Sequence, residues 1–126
     1  MVDIFKKCVQ EENAQKSICY ACGPLNKNGL QIKSYRSDKG LDLWYDPKDE
    51  HQAFPGMVNG GIIGTLLDCH GNWAAAIAIM DRDGLDEPSC TVTASYTVNL
   101  KRPTPSNSKL VIRARAVDES KWDIRR

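Results

Sequence analysis

The chain has 126 residues, of which 41% are hydrophobic, and this suits one domain with one core rather than two. Its 17 lysines and arginines against 16 acidic residues leave a formal net charge of +1, which gives no strong field to attract nucleic acid or an anionic membrane. We therefore predict a single domain over residues 1–126 that holds any anionic ligand by local contacts.

The N-terminal stretch places charges on both sides of a very short apolar patch, which is not the basic-then-apolar layout of a signal peptide. The five cysteines are an odd number without a disulfide-rich composition, so we expect reduced thiols and a cytoplasmic protein. Apolar residues at Ile4, Phe5, Cys8 and Val9 among mixed charges predict a short helix over residues 4–18.

Cys19 and Cys22 have the C-x-x-C spacing that suits zinc or a redox pair. A zinc site needs about four ligands, and the sequence contains no second such pair, although His51 and His70 could complete a tetrahedral site. The alternative is that two small residues pack an N-terminal turn into the following Gly-Pro. We favour this last interpretation and predict no metal ion and no cofactor.

Two strands follow, because apolar and polar residues alternate over residues 30–35 and again over residues 41–45. The intervening Ser-Asp-Lys-Gly predicts a hairpin turn. The next stretch, residues 46–57, is a polar, proline-containing loop in our interpretation, and it carries His51 and Gln52.

The stretch from Asn59 to Met80 predicts one helix of roughly six turns, about residues 59–80. Its most apolar run, residues 73–80, is far shorter than the ~20 residues that a membrane-spanning helix needs, and the wider stretch contains Asp68 and His70. We expect a core helix and no membrane partner.

β-branched residues over 91–100 and an alternating pattern over 109–117 predict two more strands. Residues 122–126 end the chain where a further strand would begin, so the C-terminal strand or strands are predicted to be truncated. The fold class that this order indicates is α+β, with an antiparallel sheet wrapped around a long central helix.

The central helix has two unlike faces when residues 61–77 are placed about 100° apart. The face we call the apolar face consists of Ile63, Leu66, Leu67, His70, Ala74 and Ile77. The face we call the small face consists of Gly61, Gly64, Thr65, Asp68, Asn72 and Ala75. Glycines in a helix cost about 1 kcal/mol each relative to alanine, so the small face predicts close approach by a ligand or by the matching helix of a second subunit.

The start of this helix, Asn59-Gly60-Gly61, offers backbone N–H groups that lack intrahelical partners and carry partial positive charge. Such groups can bind an oxyanion or a phosphate. Asp68 lies about two turns further on, where its carboxylate could hold a water molecule or attack a polarised carbonyl. Each feature alone has an ordinary structural explanation, and their combination favours a site. His70 lies on the apolar face, which favours a hydrogen-bonded core histidine over a base.

The stretch His51-Gln-Ala-Phe-Pro-Gly-Met-Val-Asn-Gly-Gly-Ile-Ile-Gly-Thr-Leu-Leu-Asp68 resembles hotdog-fold acyl-CoA thioesterases of the phenylacetyl-CoA thioesterase-like branch. Flanking segments are similar too, so that the resemblance covers roughly residues 19–118. It implies hydrolysis of acyl-CoA thioesters by a homodimer, or a dimer of dimers, with two sites between chains.

The resemblance also implies roles for particular residues. Gly60 would donate its N–H to the thioester oxygen, with Asn59 beside it, Asp68 would be the general base or the nucleophile, and Thr93 would match a hydroxyl that orients water. Substrate would be bound by the loop and the small face. The candidate binding residues are His51, Gln52, Gly61, Gly64 and Thr65.

The sequence departs from the family pattern at Asn59, where members often have a histidine, because an amide carries no proton at neutral pH. A polar family position also falls on Ala53, where His51 or Gln52 could substitute. Two alternatives therefore stay open. One is a non-catalytic protein that binds acyl-CoA or a related ligand in the same cleft, and the other is an enoyl-thioester hydratase.

Overall fold

A computed structural model describes residues 6–118 and 123–125, and it has a mixed α and antiparallel-β architecture with one long helix. The elements in chain order are α1 (Val9–Asn13), β1 (Ser34–Ser37), β2 (Gly40–Tyr45), β3 (Gln52–Phe54), β4 (Met57–Val58), α2 (Gly60–Asp83), β5 (Leu110–Asp118) and β6 (Asp123–Arg125). A 3-10 turn, Asp49–His51, precedes β3.

The main sheet has the strand order β1-β2-β5-β6, and every neighbouring pair is antiparallel. The predicted hairpin is confirmed, since Ser37 pairs with Gly40 across its turn. On β2, Leu41, Leu43 and Tyr45 are buried, and Leu43 lies opposite the buried Ile112 of β5. This period of two directs one face of the sheet toward the core.

Helix α2 packs its apolar face across this sheet. Leu66, Ala74 and Ile77 are at most 4% exposed, and they contact buried residues of β2 and β5 in two adjoining core clusters. By length and composition α2 would also pass for a membrane-spanning helix, as core helices of soluble proteins often do, and here it packs against the sheet. The predicted apolar face is therefore the core face of the helix.

A chain of buried hydrogen bonds joins α1, β1, α2 and β2. The Nε2 atom of His70 lies 3.0 Å from the Leu41 carbonyl oxygen, and its Nδ1 atom lies 2.7 Å from Ser34 Oγ. Because a carbonyl only accepts, Nε2 carries the proton and Nδ1 accepts from the serine hydroxyl. Ser34 in turn accepts from Gln10 Nε2 at 3.0 Å. His70 is thus a hydrogen-bonded core histidine, as predicted.

Helix α2 is three residues longer at its C-terminal end than predicted. It ends at Asp83, and the C-cap residue Gly84 has a φ of 64°, which lies in the left-handed region that favours glycine. The N–H groups of Gly84 and Leu85 both bond to the Met80 carbonyl. The prediction ended the helix with the apolar run at residue 80, and the last turn lies beyond that run.

The predicted helix over residues 4–18 was too long, because α1 comprises only Val9–Asn13 and residues 1–5 lie outside the described part of the chain. Val9 and Gln10 are its buried residues. After Ala14 the chain turns back, with the Leu25 N–H bonded to the Ser17 carbonyl. A longer helix at this position would have had no apolar face to bury.

The loop predicted over residues 46–57 contains a small hairpin instead. Strands β3 and β4 pair around Pro55 and Gly56, and Gly56 has a φ of 88°. Proline followed by a glycine with positive φ is typical of a type II turn, and the Gly56 N–H also bonds to Gln52 Oε1. Pro55 and Gly56, which belong to the stretch predicted as a loop, therefore make a tight turn.

The strand predicted over residues 91–100 is not formed. The segment, which we call the cover segment, pairs with no strand in the described part of the chain, and most of it is exposed. Its β-branched residues favour a strand only where a partner strand supplies hydrogen bonds. By contrast, the strands predicted near residues 109–117 and at the end of the chain are β5 and β6, with residues 122 and 126 outside the described part.

Candidate active site

Asn59 caps the N-terminus of α2. Its Oδ1 atom accepts from the Gly61 N–H at 2.7 Å and from the Ile62 N–H at 3.3 Å, and its own N–H donates to the His51 carbonyl at 2.8 Å. Asparagine is among the strongest N-cap residues for this reason. The Asn59 side chain, which the resemblance places beside the oxyanion donor, therefore holds the start of the helix.

The Gly60 N–H lies between these capped groups, and no acceptor for it is found among the residues that the structure describes. It is the first N–H of a 24-residue helix, where the partial positive charge of the helix dipole is concentrated. A Cβ atom at Gly61 would lie 2.9 Å from Asn59 Oδ1 and would disturb the cap. The glycine pair thus keeps the cap intact and leaves one donor unused.

Asp68 lies on the small face, and its Oδ1 atom accepts from the Thr93 hydroxyl at 2.6 Å. A distance this short is typical of a hydroxyl that donates to a carboxylate. The second carboxylate oxygen has no donor among the described residues, so it stays free to accept a proton from water. The Thr93 hydroxyl, expected to orient water, donates to this carboxylate and so lies next to the proposed base.

The cover segment lies along the small face. Asn72 Nδ2 donates to the Thr91 carbonyl at 3.0 Å, and a Cβ atom at Gly64 would lie 3.6 Å from Tyr96 Oη. A Cβ atom at Gly60 would lie 3.1 Å from a methyl group of Leu100. Within this chain, Tyr96 and Leu100 of the cover segment therefore make the close approach at Gly64 and Gly60.

Gly60 and Asp68 are not brought together within one chain. Eight residues of helix separate them, a rise of about 12 Å along the axis. A nucleophile and an oxyanion donor that act on one thioester must both lie within a few ångströms of the same carbonyl group. A single copy therefore holds the two functional groups at separate places.

The remaining predicted binding residues make local contacts. The Nδ1 atom of the buried His51 accepts from the Lys48 N–H at 3.0 Å, and Gln52 Nε2 donates to the Asp49 carbonyl at 2.9 Å. The Thr65 hydroxyl donates to the Gly61 carbonyl at 2.9 Å. These side chains stabilise the turn before β3 and the first turn of α2. Both segments adjoin Gly60.

Three surface cavities, of about 480, 460 and 230 Å³, are lined by other residues than these. Two of them border the β1–β2 turn, and the third lies between α1 and the turn that contains Cys22.

A group of three thiols lies close to the site, and the sequence pattern had linked only two of them. Cys19 and Cys22 meet Cys69, with the three Sγ atoms all within 4.8 Å of one another. The indole N–H of Trp73 donates to Cys22 Sγ at 3.3 Å. The sequence did not connect Cys69 with the other two cysteines, because it lies far from them along the chain. The periodicity of the helix does not show which loop packs against a given residue.

The thiols share protons unequally. The hydrogen bond from Cys69 is the largest cause that lowers the pKa of Cys22, to about 6, and the bonds from Trp73 and Cys19 contribute against the opposing effect of burial. The same bond, together with burial, raises the pKa of Cys69. Of the two thiols, Cys22 is therefore the one whose ionised form the surroundings favour.

No family model and no curated protein matches this chain. Its fold matches the crystal structure of a thioesterase superfamily protein from Shewanella loihica PV-4, with a TM-score of 0.57. The two chains are 33% identical, and the match covers 67% of each. An identity of this size over two thirds of both chains goes beyond likeness of fold. The chain belongs to the thioesterase superfamily.

Proposed function

We propose that this protein hydrolyses acyl-CoA thioesters to the free acid and CoA, on a hotdog fold of the phenylacetyl-CoA thioesterase-like branch. The observation that carries the proposal is the pair of unused groups beside the small face. These are the Gly60 N–H at the start of α2 and the Asp68 carboxylate oriented by Thr93. Membership of the thioesterase superfamily supports a thioester-related function, and the antiparallel sheet packed on α2 supports the hotdog fold.

Gly60 serves as the oxyanion donor in this proposal. When the thioester carbon is attacked, its oxygen becomes negatively charged and accepts from the Gly60 N–H. The helix dipole adds to this stabilisation without any movement of charge in the protein. Asn59 contributes indirectly, because its cap fixes the direction in which the first N–H groups point.

Asp68 supplies the second half of the reaction. As a general base it takes a proton from water, and the hydroxide attacks the thioester carbon; the tetrahedral intermediate then expels the CoA thiolate, which takes up a proton. As a nucleophile, Asp68 attacks the same carbon, expels the thiolate and forms an anhydride that water hydrolyses. Both routes need a carboxylate held in place, and the Thr93 hydrogen bond supports either.

The site is completed by a second copy of the chain. The separation of about 12 Å along one helix means that Gly60 and Asp68 of the same chain cannot act on one carbonyl group. The cover segment offers a surface for the second copy, since Val92, Tyr96 and Leu100 are 85%, 49% and 55% exposed. A two-fold symmetric dimer would place Gly60 of each chain opposite Asp68 of its partner.

The hydratase alternative has less support. His70 donates to the Leu41 carbonyl and bonds to Ser34 on the sheet side of α2, whereas Asp68 bonds to the cover segment on the small face. An Asp/His pair that acts on one substrate atom would need both side chains on the same side of the helix.

A panel of acyl-CoAs with a thiol-trapping reagent tests the proposal directly. The panel includes phenylacetyl-CoA and straight-chain acyl groups of increasing length. We expect turnover by the wild-type dimer and its loss in Asp68→Asn, which keeps an oxygen that can accept from Thr93. A folded dimer that hydrolyses none of them would contradict hydrolysis, and calorimetric binding of the same acyl-CoAs would then select the non-catalytic binder.

A further inference from the structure

We propose that Cys19, Cys22 and Cys69 form a binding site for one zinc ion, with water as the fourth ligand. The three Sγ atoms converge to within 4.8 Å of one another, although Cys69 comes from a different element than the other two. Tetrahedral zinc with Zn–S bonds of about 2.3 Å places sulfurs about 3.8 Å apart. Small side-chain rotations would therefore bring all three onto one ion.

The turn that presents Cys19 and Cys22 is held by its own backbone. The Gly23 N–H bonds to the Cys19 carbonyl at 2.8 Å, and the Leu30 N–H bonds to the Tyr20 carbonyl at 2.8 Å. A Cβ atom at Gly23 would collide with the backbone of the preceding residues, so that this position needs glycine. A turn fixed in this way loses little freedom when a metal binds.

Helix α2 contributes an outer partner as well as a ligand. Trp73 lies one helical turn after Cys69, and its indole N–H donates to Cys22 Sγ at 3.3 Å. Hydrogen bonds to ligand atoms are a regular feature of metal sites, because they orient the ligand and stabilise its charge.

The position of the cluster indicates what the fourth ligand is. Cys22 is buried and Cys69 is half-buried, whereas Cys19 is exposed, so the cluster reaches the protein surface at Cys19. Three protein ligands with one solvent-facing position leave room for a water molecule. The ion would tie the N-terminal turn to α2 at the residue next to Asp68, and this role does not depend on the proposed hydrolysis.

Cobalt substitution tests the site with a spectroscopic signal. The protein is purified under reducing conditions, stripped of metal and titrated with Co²⁺, and then with Zn²⁺ in competition. We expect one Co²⁺ per chain with an intense thiolate-to-cobalt charge-transfer band that Zn²⁺ abolishes. Cys90→Ala is the matched control, because Cys90 is an exposed cysteine outside the cluster, and it should bind as the wild type does.

Two variants distinguish a metal ligand from a residue that only donates a hydrogen bond to a ligand. Trp73→Phe should weaken Co²⁺ binding roughly 10–100-fold, as loss of an outer partner does, and Cys19→Ala should weaken it further than that. Cys19 is exposed, so its removal leaves the core intact. The proposal would be overturned by a wild-type protein without the charge-transfer band, or by a band that survives in both Cys19→Ala and Cys69→Ala. It would also be overturned if the reduced protein, after incubation with metal, were recovered with a Cys19–Cys22 disulfide.

Discussion

The two sides of α2 use their polar groups in opposite ways. On the apolar face, His70 is fully buried, and both of its ring nitrogens are bonded within the core. On the small face, Asp68 is bonded through one oxygen to an exposed segment, and the Gly60 N–H at the start of the helix has no acceptor in the described residues. A polar group that is fully bonded and buried supports the fold, whereas one that is held in place but only partly used can act on a ligand.

The coverings of the two faces differ as well. The apolar face packs on a four-stranded antiparallel sheet, and the small face is covered by one extended segment without strand partners. Three large side chains of that segment, Val92, Tyr96 and Leu100, stay partly exposed to solvent. The first face is complete within one chain, and the second is suited to contact with a further molecule.

The largest effect is expected on the small face, from Asp68→Asn. Loss of a general base or nucleophile should lower kcat/KM for the best acyl-CoA by about 10²–10⁴. The thermal midpoint should stay close to that of the wild type, because asparagine keeps the acceptor for Thr93 and the site is not part of the core. Equal kcat/KM values for the two proteins would show that Asp68 takes no part in catalysis.

On the apolar face, Leu66→Ala should act on stability. Leu66 is 0% exposed and belongs to the larger core cluster, so its truncation should lower the free energy of unfolding by about 2–5 kcal/mol. Thr65→Ala on the other side of the helix is the control, with an expected change within about 0.5 kcal/mol. Urea unfolding measures both, and a loss at Thr65 as large as that at Leu66 would contradict the contrast between the faces.

Thr93→Val removes the hydroxyl that orients Asp68 and keeps the shape of the side chain. A hydrogen bond to a charged group contributes about 1.5–3 kcal/mol, so we expect kcat to fall roughly 10–100-fold with little change in KM. Thr93→Ser should restore most of the rate, since it keeps the donor. A Thr93→Val enzyme with unchanged kcat and a raised KM would instead place Thr93 in substrate binding.

The smallest effect concerns pH and a core thiol away from the site. Burial raises the pKa of Cys8 to about 11, from an ordinary 9.0. The unfolded chain therefore ionises first, and this contribution to stability is complete below pH 9 and is lost as the pH rises toward 11. Cys8→Ala should lose less stability over that interval, by on the order of 2 kcal/mol, in paired urea unfolding curves. Parallel pH profiles for the two proteins would show that the thiol does not titrate in this way.

The sequence was sufficient for features set by local periodicity. The alternation in β2 and β5 follows from the two-residue period of a strand, and the apolar face of α2 follows from the 3.6-residue period of a helix. The structure agrees with both. The hairpin after β2 was missed because proline and glycine signal a loop and a tight turn equally well.

Features that depend on contacts between distant segments were not predictable. The cover segment has the composition of a strand, but only the fold decides whether a partner strand lies beside it. Asn59 was considered only as a neighbour of the oxyanion donor, although its N-cap role is visible in the sequence as an asparagine directly before the helix. Cys69 could not be joined to Cys19 and Cys22 from spacing alone, because its orientation depends on how α2 packs.

The central claim is that each site combines Gly60 of one chain with Asp68 of another, and mixing two inactive variants tests it most directly. Gly60→Pro removes the N–H at the first helical position, where proline is tolerated, and Gly60→Ala is its control because it keeps the N–H. Asp68→Asn is the second inactive variant. Random exchange of subunits makes half of the dimers mixed, and each mixed dimer has one intact site.

We predict that the mixture of Gly60→Pro and Asp68→Asn recovers roughly a quarter of the wild-type acyl-CoA hydrolase activity, in step with subunit exchange. Gly60→Ala should remain active by itself. A mixture that exchanges subunits fully and stays inactive, while each variant is folded, would contradict a site shared between two chains.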